Sequence, residues 1–178
     1  MKYIALLRGI NVGRNKRIKM ADLIKVFESL GFKNVKTYVQ SGNVIFEHDS
    51  NDAAEIAGRI ERKISQTFSF SVNVIIRTKD EVENVVKGNP FIGRAGIELD
   101  KLHVIFLADM PDPKDVLNLD INKDENEEFE VIGREVYLYC PDGYARTKLK
   151  NDIFEKKLNT EATTRNWKTT SKLLELSN

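Results

Sequence analysis

Short apolar runs along the chain are separated by stretches in which apolar residues recur every three or four positions. Residues 3–7, Tyr3-Ile4-Ala5-Leu6-Leu7, form an unbroken apolar run stopped by Arg8 and Gly9. A run of this length bounded by a turn signal predicts a strand buried on both faces. Met20, Leu23, Ile24, Phe27 and Leu30 then recur at helical spacing, and Gly31 stands where a left-handed residue closes a helix. Residues 35–39 and 44–46 read as strands joined by the turn Gln40-Ser41-Gly42-Asn43. Residues 49–52 supply an N-cap for a second helix, whose stripe is Ala53, Ile56, Ala57, Ile60, Ile64 and Phe68. Residues 72–76 are a fourth strand. Thr78-Lys79-Asp80-Glu81 matches a capping box at the head of a short helix that ends by Gly88.

Residues 89–101 contain Asn89-Pro90, Gly93 and Gly96 and read as a linker. The order then repeats. Residues 103–107 are an apolar strand, and Asp112-Pro113 places an N-cap before a proline at the first helical position. That short helix carries Val116, Leu117 and Ile121. Residues 128–132 and 135–140 form a hairpin around Gly133-Arg134, and Leu149, Ile153, Phe154 and Leu158 mark a helix. Residues 161–164 give a last strand, and Asn166 caps a final helix with Leu173, Leu174 and Leu176. The predicted class is α+β: two ferredoxin-like β-α-β-β-α-β halves, residues 1–88 and 102–178, each an antiparallel sheet backed by helices. Right-handed crossovers fix the strand order in each half as 4-1-3-2. Loop 8–19 then shares a sheet edge with turn 40–43, about 10 Å away across two strand spacings. In the second half the same logic brings residues 141–148 near residues 165–168.

Length and charge narrow the function classes. The 178 residues make one large domain or two small ones. A net charge of +1 gives no overall field towards nucleic acid or an anionic membrane. The charges are nevertheless segregated. Loop 8–19 holds Arg8, Arg14, Lys16, Arg17 and Lys19, and Asp22 is the first acid of the chain. Residues 109–130 hold nine acids against Lys114 and Lys123, whereas residues 144–172 hold eight bases against three acids. Cys140 is the only cysteine, so no internal disulfide forms, as suits a reducing cytoplasm. The first apolar run is shorter than the roughly 7–15 residues of a signal-peptide core and the about 20 of a membrane span. The expectation is a cytoplasmic protein with no membrane partner.

Several longer motifs carry a resemblance. Residues 6–13, LLRGINVG, followed by KRIKM at 16–20 resemble the start of the family of unknown function DUF1697. QSGNVIF at 40–46, GREVYLYCPDG at 133–143, TKL at 147–149 and ATTRNWKT at 162–169 are similar to the same family, in order. Two positions depart from its pattern: Arg14 stands where a second small residue is expected, and Thr147 where serine is. The resemblance implies a bacterial, cytoplasmic protein of mixed α and β class. It implies no activity and no catalytic residue.

Two basic places are candidate ligand sites. In the first, Arg8, Asn11, Lys16 and Lys19 face Gln40, Ser41 and Asn43. Glycines let backbone N–H groups turn towards an anion, and a helix N-terminus follows. No Gly-Lys-Ser/Thr and no G-x-G-x-x-G is present, and the same residues also read as a solvated turn. The second comprises Tyr144, Arg146, Lys148, Arg165, Asn166, Trp167 and Lys168. Arginine grips phosphate bidentately and the indole offers a stacking face, although Trp167 reads more readily as core and the cations as surface. His48 and His103 lack partner motifs for a metal, and no metal or cofactor is expected. The preferred expectation is binding, or cofactor-independent turnover, of a phosphate- or carboxylate-bearing small ligand. One alternative is single-stranded RNA binding, for which the central strands offer only Tyr3 and Phe46 and no full aromatic-glycine motif. The other is a structural or interaction module without ligand.

Overall fold

Strand β1 (Lys2–Leu7) is the centre of the first sheet. It is apolar on both sides, so both of its edges are paired: Ile4 lies opposite Ile45 on β3 (Asn43–Glu47) and opposite Arg77 on β4 (Val74–Thr78). Strand β2 (Lys33–Tyr38) closes the hairpin with β3, giving the spatial order β2-β3-β1-β4, all antiparallel. Helices α1 (Met20–Ser29) and α2 (Ala53–Phe68) cover one face. Their stripes, including Leu23, Phe27, Ile56, Ile60 and Ile64, pack on Tyr3, Ala5, Leu7, Val44 and Phe46. Full burial of one such side chain stabilises by about 1.5–3 kcal/mol. Helix α1 stops at Leu30, after which Gly31 adopts φ +82° and donates to the Glu28 carbonyl. Helix α2 starts where the Asp52 carboxylate accepts from Glu55 N–H at 2.9 Å.

The computed structural model describes residues 1–178, and they group spatially into two units. One is Met1–Glu83 with Leu173–Asn178, the other Asn84–Lys172. The division thus falls inside helix α3 (Lys79–Lys87) rather than across residues 89–101. The stretch expected as a linker is ordered against the second unit. Phe91 is buried beside the Tyr139 ring, Arg94 clasps Glu128 through two bonds of 2.9 and 3.0 Å, and Leu99–Lys101 forms one 3-10 turn. The glycines there mark turns in a packed segment.

In the second unit β5 (Leu102–Leu107) is the central strand, and the order β6-β7-β5-β8 repeats that of the first. Strands β6 (Glu128–Ile132) and β7 (Glu135–Tyr139) form the hairpin, and β8 (Ala162–Asn166) pairs with the other edge of β5. Helices α4 (Pro113–Leu117) and α5 (Asn151–Leu158) contribute Val116, Phe154 and Leu158 to the core under β5 and β7. Helix α6 (Trp167–Leu176) ends the chain. Several strands differ from their expected spans: β2 starts at Lys33 and stops at Tyr38, and β4 and β8 gain polar ends. Strand β4 runs on through Arg77 and Thr78, and β8 through Arg165 and Asn166, because the ladders to β1 and β5 continue past the apolar residues. No helix is long and apolar enough to cross a membrane.

Candidate functional site

The first candidate loop leaves β1 at Leu7, whose N–H donates to the Gly42 carbonyl at 2.8 Å. Loop 8–19 and turn 40–43 therefore meet at one sheet edge, as the strand order predicts. Ile10 and Ile18 are buried and pin the loop to the core. Between them the Asn11 side chain makes three hydrogen bonds: its Nδ2 donates to the Ile18 and Gln40 carbonyls at 2.9 and 2.8 Å, and its Oδ1 accepts from Ile18 N–H at 2.9 Å. Gly42 lies so close that a Cβ there would sit 2.8 Å from Leu7 Cβ and Ile10 Cδ1. Asn43 is buried, and its Nδ2 donates to the Tyr38 carbonyl and to Ser41 Oγ, both at 2.9 Å. Asn11, Ser41 and Asn43 thus hold the loop and turn in shape. Gln40, Lys16 and Lys19 are exposed, and Arg8 is half-buried. Val12, at the loop's head, is 73% exposed, and nothing in the sequence singled it out.

The second candidate cluster divides between the two faces of β8. Thr164 and Arg165 pair with Ile105 and Val104, so their side chains leave opposite faces. On the side of Thr164, the Tyr144 hydroxyl donates to Thr164 Oγ1 at 3.3 Å, and the Tyr144 ring stacks on His103 with centroids 4.6 Å apart. The loop after β7 therefore does reach β8. Lys150 lies 5.1 Å from the Tyr144 ring centre and donates to the Tyr144 and Ala145 carbonyls at 2.9 and 3.3 Å. His103 is buried with no hydrogen-bond partner on Nδ1, and burial holds its imidazole below the usual histidine value.

Arg165, expected to grip a phosphate, is only 7% exposed. Its Nη1 donates to Thr163 Oγ1 at 2.7 Å and to the Thr164 carbonyl at 2.9 Å. Burial pushes the guanidinium down to about 10, so it remains charged at neutral pH. Asn166 Oδ1 accepts from Thr169 N–H at 2.8 Å and caps α6 as expected. Trp167 is 7% exposed and offers no open stacking face. Arg146 is exposed, whereas Lys148 donates to Asp124 at 2.7 Å, and that bond raises its pKa. Cys140 is buried, which pushes its thiol up against the opposing hydrogen bond to Thr147. No group of three histidine, cysteine or acidic side chains gathers as a metal site.

A third place was missed by the sequence reading. A surface groove of about 770 Å³ runs between α5 and the segment after α4. Lys148, Lys150, Lys156 and Lys157 line it, Ile121 and Ile153 supply apolar wall, and Asp120 is its one acid. Only Lys148 of this set stands among the predicted site residues. The signal available was the excess of bases in residues 144–172, but neither partner segment was identifiable before the fold.

A family model described as "Protein of unknown function (DUF1697)" matches residues 1–137. The match stops before the motifs at 147–149 and 162–169. No curated protein matches the chain. Among solved structures, the conserved bacterial protein SP0830 from Streptococcus pneumoniae is similar over 99% of this chain and 98% of that one, with a TM-score of 0.75 and 22% identity. At that identity the likeness shows the fold.

Proposed function

We infer the function of a chain that belongs to the DUF1697 family, whose description names no activity, so that kinship supplies no substrate. The protein binds a small molecule bearing phosphate or carboxylate, and the binding place is the lysine-lined groove of the second unit. One observation carries this reading: four lysines and two isoleucines share a groove of about 770 Å³ with a single acid. Apolar walls shield part of a ligand from water, which strengthens each charge contact beyond its value in open solvent. The ion pair Lys148–Asp124 is about half exposed on both sides, so an incoming anion displaces a contact worth little. The RNA reading has less support, because Tyr3 and Phe46 are buried and stack on each other at 5.6 Å. A reducing cytoplasm is the compartment in keeping with the lone, buried thiol of Cys140.

Thermal shift with inorganic pyrophosphate and nucleotides tests the groove, since a ligand at about 100 times its dissociation constant adds roughly 2.7 kcal/mol. The double substitution Lys156→Ala with Lys157→Ala removes two exposed cations from the last turn of α5. The expected outcome is a ligand-induced shift in the wild type that the variant loses, with its ligand-free stability within about 1 kcal/mol. A variant that keeps the shift puts the site elsewhere.

A further inference from the structure

Two surface segments carry matching but opposite signatures. Residues 12–17 present Val12, 73% exposed, among the exposed cations Arg14, Lys16 and Arg17. Residues 109–117 present Met110 and Leu117, 66% and 86% exposed, among Asp109, Asp112 and Asp115. An isolated exposed aliphatic side chain is ordinary. Here each lies on a segment whose charges are wholly or mainly of one sign, and the two signs differ. We propose that the protein associates with a second copy of itself, the loop around Val12 of one copy docking on the acidic segment around α4 of the next.

The loop is suited to this because its shape is already set. Asn11 bonds across its base, and Ile10 and Ile18 are buried anchors on either side. Docking therefore orders little backbone, which lowers the entropic cost of association. Opposite charges steer the encounter and fix which surfaces meet. A copy of the same chain answers the loop better than nucleic acid does, since the chain is nearly neutral and its nine acids at 109–130 repel a polyanion. The contact joins two different surfaces, so it is heterologous and extends from copy to copy or closes a ring. Two short segments bury less than a standard interface, which places the contact in the weak, transient class. It makes no use of the lysine groove.

Sedimentation across a concentration series, at low and high salt, tests the proposal with three proteins. The first is the wild type. The second carries Arg14→Glu and Arg17→Glu, and the third Asp109→Lys and Asp115→Lys. The wild type should associate more strongly as concentration rises and less strongly as salt rises. Each variant alone should stay monomeric, because both of its surfaces then carry the same sign. An equimolar mixture of the two should associate again, since each restores the sign its partner lacks. Circular dichroism checks that the variants fold, and Arg14→Ala and Leu117→Ser serve as milder replacements if one does not. A wild type that stays monomeric throughout overturns the proposal, as does association that either variant retains. Filter retention of single-stranded RNA by the wild type but not by the loop variant, without self-association, assigns the loop to nucleic acid and overturns it equally.

Discussion

Asn11 ties the first loop to the turn beside it. Its amide satisfies two carbonyls and one N–H of the same loop and turn. Asn11→Ala removes all three bonds and leaves the part-buried Ile18 N–H and carbonyl without them, so unfolding in urea should show a loss of about 1–3 kcal/mol. Unchanged stability would mean that the loop needs no clamp. His103 supplies a second residue-scale expectation. Burial lowers its pKa, while a hydrogen bond with the Lys101 backbone opposes the shift. Tyr144 stacks on it, and the Lys150 cation sits over that ring. Below about pH 6.5 the unfolded chain takes up a proton that the folded chain refuses. Stability therefore rises with pH through the window between the lowered value and the ordinary one, and it falls on acidification. Melting temperature measured from pH 7 to pH 5 should fall more steeply for the wild type than for His103→Phe, which keeps an aromatic ring against Tyr144. Parallel curves would remove His103 from the account.

At the scale of elements, the junction of β4 and α3 repeats a pattern legible in the sequence. Thr78 N–H donates to Glu81 Oε2 at 2.7 Å, and Glu81 N–H donates to Thr78 Oγ1 at 3.2 Å. Thr78→Ala should cost about 0.5–2 kcal/mol. Because the two bonds are reciprocal, a double-mutant cycle with Glu81→Ala should show that the two losses do not add. Simple additivity would mean that the box is present but idle. Caps, turns and apolar stripes of this kind could be read from the chain because each depends on neighbours within about four positions. Strand ends could not. The polar ends of β4 and β8, Arg77-Thr78 and Arg165-Asn166, are strand only because β1 and β5 pair with them. Likewise Leu117 looks like core by spacing, yet a five-residue helix can turn only part of its surface inward, and this side chain is left outside.

For the molecule as a whole, near-neutral net charge conceals strong segregation: a basic first loop, an acidic stretch from 109 to 130 and a basic one from 144 to 172. That segregation is a property of sequence, and it underlies both proposals, the anion in the lysine groove and the pairing of copies. The order of elements, two antiparallel sheets of the same topology and the meeting of loop 8–19 with turn 40–43 also follow from sequence alone, because periodicity and right-handed crossovers leave few arrangements. What each cation does was decided by the fold. Arg165 and Lys150 sit in one basic stretch, yet strand alternation buries the first, while the second lines an open groove. The groove itself joins residues 120–122 to residues 148–157. The grouping of Leu173–Asn178 with the N-terminal unit is equally invisible along the chain. Exposure and proximity between distant residues depend on how every intervening element packs, and no local pattern records that.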